Sequence, residues 1–292
     1  MLKNLIKLAR VGQWVKNSVV LAALVFAGTI KDSHRLELAF FATVIFCLLS
    51  SAVYTFNDLI DRDKDRRHPL KKDRPIASGA VSPTMAIILV VVLIAIGLGT
   101  AWSINIGFFI ISIVFVAINA LYSLALKDIV IVDVMTLALS FVVRALAGAL
   151  AIEVPASKWM LINTLLLALF LGFGKRRHEL VLLDEKAGHH RSSLTHYSPY
   201  LLDQLIGVTT ASVVVMYMLY TFSTEVSQKL KTENLYITIP FVVYGIFRYL
   251  FLIHKREEGG SPTRLLFTDR PILITVVLWL VTVIAVLYHL WC

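Results

Sequence analysis

Charge is scarce in this chain. Asp, Glu, Lys and Arg make up only 16% of its 292 residues, against about a quarter in a typical soluble domain. With 58% hydrophobic residues and a mean hydropathy of +0.79, the scarcity excludes a soluble globular enzyme, a disordered chain and a fibrous repeat. Cysteine is nearly absent too. Cys47 sits in an apolar run and Cys292 is the last residue, so neither a disulfide framework nor a cysteine metal site is expected. No run alternates apolar and polar residues with period two, which argues against a membrane barrel. The four histidines His178, His189, His190 and His196 fit no zinc spacing.

What the chain has instead is apolar runs of membrane-crossing length. They lie at about 18–30, 38–56, 85–102, 106–126, 129–152, 159–173, 204–224, 236–253 and 271–291. They predict an all-α polytopic membrane protein of about nine transmembrane helices, with eight as the main alternative, and leave too few residues for a separate soluble domain. Lys3, Lys7 and Arg10 precede the first run in a way that loosely resembles a signal peptide. The polar stretch from Gln13 to Asn17 breaks that pattern, and cleavage is not expected.

The net charge of +9 has three readings: anionic lipid, anionic substrate, or topology. Alternating spans put 21 of the 28 basic residues on one side: four in the N-terminal segment, seven from Arg62 to Arg74, Lys127, five in 174–203 and four in 254–270. Five fall on the other side, and Arg144 and Arg248 lie inside apolar runs. The N-terminus and the long loops are therefore expected in the cytoplasm and Cys292 outside. No nucleic-acid partner is expected, and a homo-oligomer is left open.

Chemistry concentrates where the second run ends, at Asn57-Asp58-Leu59-Ile60-Asp61-Arg62-Asp63-Lys64-Asp65. On a continuing helix Asn57, Asp61, Asp65 and Asp58 fall at about 0°, 40°, 80° and 100°, while Asp63 falls at about 240°. Carboxylates on one arc repel unless a cation joins them, and an oxygen-only set suits magnesium completed by substrate phosphates. The alternative is a solvated, charged helix end. Pro69 and Pro75 then stop the helix and stiffen a loop whose Lys71, Lys72 and Arg74 can grip phosphate oxygens. Positive-inside bias alone explains Lys72 better than Lys71 and Arg74.

Asn-Asp-x-x-Asp-x-x-x-Asp followed by Arg74-Pro75-Ile76-Ala77-Ser78-Gly79 resembles the first signature of the UbiA superfamily of membrane prenyltransferases. That resemblance implies a single UbiA-like domain over 1–292, a helix bundle around a cavity open to lipid. The second signature, Tyr122-Ser123 through Lys127 to Asp133 and on to Arg144, looks like the decaprenyl-phosphate phosphoribosyltransferase branch. Arg10 to Asn17, Gly174 to Leu180, and Arg191-Ser192-Ser193-Leu194 with Tyr197 agree with it; Arg177 stands where that branch has an aromatic.

The resemblance implies phosphoribosyl transfer from phosphoribosyl diphosphate (PRPP) to a polyprenyl phosphate with magnesium, in a bacterial-type inner membrane. It places Asn57, Asp58, Asp61, Asp65 and Asp133 at the metal. Asp61, Asp65, Lys71, Arg74, Lys127 and Arg144 are expected at the reaction, and Gln13, Lys16, Asn17, Tyr122, Lys175, Arg176 and Glu179 on the substrates. Arg144 is costly inside an apolar run and should face a cavity or a partner; it is read as gripping a phosphate. Arg248 is read as structural. The rival activities are prenyl transfer to an aromatic acceptor, for which a second acidic cluster is missing, and a transporter or lipid carrier, which would place polar groups near the midplane.

Overall fold

The computed structural model describes residues 2–69, 71–183, 192–256 and 259–288. Among them, eight helices are long and apolar enough to cross a membrane. They are α1 Ser33–Ile60, α2 Pro83–Ile104, α3 Ile106–Leu124, α4 Val132–Ala151, α5 Lys158–Leu183, α6 Pro199–Phe222, α7 Ile239–Lys255, whose span begins with the 3-10 turn Asn234–Thr238, and α8 Arg270–Leu287. The first apolar run of the sequence, predicted as a ninth span, is the shorter helical segment Val11–Phe26. Its residues Val11–Leu21 form a 3-10 helix that passes into a short α-helix, Ala22–Phe26. The tighter winding lengthens the segment. Eleven residues at about 2.0 Å and five at about 1.5 Å rise reach roughly 30 Å, the thickness of a hydrocarbon core. The chain is a multi-pass membrane protein.

Local chemistry sets the helix starts. Asp32 caps α1 by accepting from the His34 and Arg35 amides, and Asn105 caps α3 by accepting from Phe108. Ser82-Pro83 and Ser198-Pro199 place an accepting hydroxyl before a proline at the first helical position, where the missing N–H costs nothing. Asp269 caps α8 the same way, from Ile272, and also pairs with Arg248 through two hydrogen bonds of 2.8 and 3.2 Å. The intramembrane Arg248 thus has the structural role its sequence position implied.

The helices sort by how much they bury. More than half of α1 and α4 is inside the protein, whereas the outer faces of α2 and α5 remain open. Phe46, Phe108 and Phe115 stack between α1 and α3, with ring centroids 5.0 and 5.7 Å apart. Gly97 needs no ligand: an added Cβ would meet the Leu49 side chain at 2.6 Å. Gly148 on α4 is the tightest point. A Cβ there would lie 1.9 Å from the Val20 carbonyl oxygen, so the 3-10 segment rests on α4 backbone to backbone.

Candidate active site

α1 runs straight into the acidic signature, ends at Ile60 and resumes as the short helix Arg62–Arg67. The predicted arc is realised there. Arg74 Nη1 bridges two of its members, 2.9 Å from Asp58 Oδ1 and 2.6 Å from Asp65 Oδ2. Asn57 Nδ2 donates to Asp61 Oδ2 at 3.1 Å. Asp63, predicted off the arc, is exposed and pairs with Arg62 and Arg66.

Three cations from different parts of the chain close on this arc. Arg10, in the left-handed region at φ 50°, pairs with Asp58. Arg74 comes from the loop after the arc. Lys127, buried on the turn between α3 and α4, reaches Asp61 Oδ1 at 2.5 Å. That loop is itself anchored. Lys7 Nζ donates to the Asp73 carbonyl at 2.9 Å, Arg66 Nε donates to that of Ala77 at 3.0 Å, and Leu8 packs with Ile76 and Val81. The pocket beside the arc is lined by Asp61, Lys64, Asp65, His68, Lys71, Lys127 and Asp128. Lys72 is exposed. Burial pushes the Asp65 carboxyl above its ordinary value, while Arg74 and Lys71 pull it back down.

The donor set fits a divalent cation. Asn57 Oδ1 and Asp128 Oδ1 are buried with no hydrogen-bond partner, and an oxygen left without a donor costs free energy that a cation can recover. Among the described residues no three His, Cys, Asp or Glu side chains form a cation shell alone.

The structure does not bring Asp133 into this arc. Asp133 is fully buried. Its Oδ2 accepts from Arg176 Nε at 2.6 Å and Ser193 Oγ at 3.4 Å, and its Oδ1 accepts from the Tyr197 hydroxyl at 2.9 Å. Arg176, expected on a substrate, spends its other nitrogens on Glu179 (2.6 Å) and the Tyr122 hydroxyl (3.3 Å). Four predicted site residues, Tyr122, Asp133, Arg176 and Glu179, therefore form one network, buried except for the half-buried Glu179. Ser193 links it forward by donating to the Lys127 carbonyl at 3.1 Å. Burial and the adjacent Asp133 charge raise the Tyr197 phenol, keeping it a proton donor. The same hydroxyl accepts from the amide of Ile131, a β-branched residue at φ 68°, and so braces a strained turn. Lys175 is partly exposed, 3.8 Å from Glu179.

Arg144 is also placed differently from its phosphate-gripping reading. It is buried, with Nε on Asn17 Oδ1 at 2.9 Å and Nη1 on the Ser140 carbonyl and hydroxyl at 3.0 and 2.9 Å. Its guanidinium lies over the Phe115 and Phe141 rings. Gln13, Lys16 and Asn17 all lie on the 3-10 segment, Asn17 buried and the other two half-buried. His178 packs on Gly260. Arg191, His189, His190 and Cys292 lie outside the described residues. Sequence reasoning missed Asp128, whose only signal was its place next to Lys127, and Tyr54, one turn before Asp58 on the same face of α1.

Known proteins resemble this chain in sequence and in fold. A match to the UbiA prenyltransferase family spans residues 18–269. The decaprenyl-phosphate phosphoribosyltransferase of Mycolicibacterium smegmatis is 32% identical, aligning 99% of this chain with 93% of its own. The protein of the same name from Corynebacterium glutamicum is 30% identical, over 98% of this chain and 87% of its own. Among solved structures, a UbiA homolog from Archaeoglobus fulgidus bound to DMAPP and Mg2+ shares the fold with a TM-score of 0.73 at 21% identity, over 98% of this chain and 99% of that one. The acidic arc at the end of α1, the membrane bundle and a match over most of the chain lead to one assignment: this protein belongs to the UbiA prenyltransferase family.

Proposed function

We propose that this protein transfers the 5-phosphoribosyl group of PRPP to a polyprenyl phosphate of the decaprenyl type, releasing diphosphate. The observation that carries the reading is the pocket itself. Its acid arc is matched by Arg10, Arg74 and Lys127 from three separate segments, with Lys71 on its wall. Mixed charge of this kind receives a polyanion together with a cation. The similarity to two decaprenyl-phosphate phosphoribosyltransferases over nearly the full chain supports the choice of substrates.

Asn57, Asp58, Asp61 and Asp65 would hold magnesium, which neutralises a leaving diphosphate when bound. Lys71, Arg74 and Lys127 stabilise charge on the donor's phosphates. A lipid phosphate oxygen attacks the anomeric carbon, the bond from that carbon to the diphosphate oxygen breaks, and its electron pair leaves with the diphosphate. The 5-phosphate stays on the sugar. The acceptor is already ionised at neutral pH, so no general base is needed. Asp133 and Arg176 support the site from behind, holding the turn that carries Lys127. The active site and N-terminus face the cytoplasm of a bacterial-type inner membrane, as the basic residues indicate.

The test is direct. Membranes containing the protein are incubated with radiolabelled PRPP, a polyprenyl phosphate and magnesium, and label should enter lipid. Absence of lipid label, with prenyl diphosphate modifying an aromatic acid instead, overturns the proposal in favour of prenyl transfer.

A further inference from the structure

Two cations in the membrane-embedded part have no carboxylate partner among the described residues. The Arg144 guanidinium meets Asn17, Ser140 and Ser50 and also hydrogen-bonds with Tyr54. Lys16 Nζ lies 5.8 Å from the centroid of the Tyr54 ring, and Arg10 lies 5.5 Å from the same ring. Tyr54 is one helical turn before Asp58, about 6 Å further into the bilayer along α1. An intramembrane cation is costly and normally serves a ligand or a partner.

The 3-10 winding explains how these groups are arranged. Side chains three apart eclipse in a 3-10 helix. Trp14, Asn17 and Val20 therefore form one stripe, and it is the anchored one. Trp14 Nε1 donates to Ser51 Oγ at 2.9 Å, Asn17 accepts from Arg144, and the Val20 carbonyl rests on Gly148. Gln13 and Lys16 form a second stripe. Arg144 and Gly148, one turn apart on α4, thus fix the register that aims Lys16 at Tyr54.

We propose that Lys16, beside Tyr54 and Arg10, is the seat of the acceptor's phosphomonoester, and that Arg144 is a positioning residue acting through Asn17. The inference rests on the function proposed above and divides its site in two. The soluble donor takes the acid arc, and the lipid's headgroup docks one turn deeper, where its chain continues into the bilayer. Arg144, 3% exposed, does not touch the headgroup; its charge, met by no carboxylate among the described residues, adds to the positive potential there.

The test uses the full chain in nanodiscs of zwitterionic lipid, titrated with polyprenyl phosphate, polyprenol, inorganic phosphate and PRPP with magnesium. Lys16→Gln should weaken polyprenyl phosphate about ten-fold, the effect of losing one charge-assisted hydrogen bond, and leave PRPP binding within about two-fold. Asn17→Asp keeps the acceptor oxygen for Arg144 but neutralises its charge. It should keep the wild-type melting temperature and raise the KM for the lipid without changing that for PRPP. Arg144→Lys should lower lipid affinity less than Lys16→Gln does. The inference is overturned if Lys16→Gln weakens PRPP instead, if inorganic phosphate binds as tightly as the lipid, or if Asn17→Asp leaves the lipid KM unchanged. A protein that binds polyprenyl phosphate through Lys16 yet transfers no phosphoribosyl group would refute the proposed reaction and not this subsite.

Discussion

Lys127, on the turn between α3 and α4, holds Asp61 at the end of α1 across 2.5 Å, joining residues 66 positions apart in the chain. The pair sits on the wall of the pocket, so the second signature of the sequence completes the first. Asp61 is accordingly the residue whose loss should be felt most. Asp61→Asn should lower phosphoribosyl transfer by about 10²-fold or more while the protein remains folded in the membrane.

Asp63 provides the matched control. It is exposed and paired only with Arg62 and Arg66, and surface pairs contribute little. Asp63→Ala should leave the rate within about two-fold. Equal losses at Asp61 and Asp63 would remove the helical-face account of the arc.

Asp133 is fully buried against Arg176. Removing one partner of such a pair leaves an unbalanced charge and costs about 3–5 kcal/mol. Asp133→Ala should therefore lower the thermal unfolding temperature sharply, as well as activity. An unchanged melting curve with activity lost would return Asp133 to the metal.

Gly148 admits no side chain, because a Cβ would meet the Val20 carbonyl oxygen at 1.9 Å. Gly148→Ala should destabilise by about 1–3 kcal/mol, the usual cost of overpacking, read as a fall in melting temperature in detergent. No fall would show that the 3-10 segment shifts freely on α4.

The Asp269 carboxyl is held below its ordinary value, chiefly by the hydrogen bond from Arg248. A depressed carboxyl stabilises the fold above the pKa it has when unfolded, and that stability is lost as pH falls through its folded value. Melting temperatures of wild type and Asp269→Asn should thus differ at neutral pH and converge on acidification. A gap that stays constant down to the folded value would contradict this account.

Much of the acidic arc is legible in the sequence, because helical periodicity puts Asn57, Asp58, Asp61 and Asp65 to one side and Asp63 away from it, although α1 ends at Ile60 and the short helix resumes at Arg62. The partners of other expected site residues lie far along the chain. Arg144 meets Asn17 127 positions away, and Arg176 meets Asp133 43 positions away. In sequence a buried arginine held by neutral groups looks the same as one facing a ligand. The 3-10 winding of Val11–Leu21 is equally hidden in the sequence, because the segment seats on α4 at Gly148, far along the chain.

The central claim is the bond that breaks. Purified protein would be given PRPP carrying a carbon label in the ribose and a phosphorus label in the diphosphate, together with polyprenyl phosphate and magnesium. Cleavage at the anomeric carbon sends the carbon label into the organic phase and leaves the phosphorus label in water as inorganic diphosphate, in equal amounts. Phosphorus label in the lipid, or no carbon label there, would contradict the assignment.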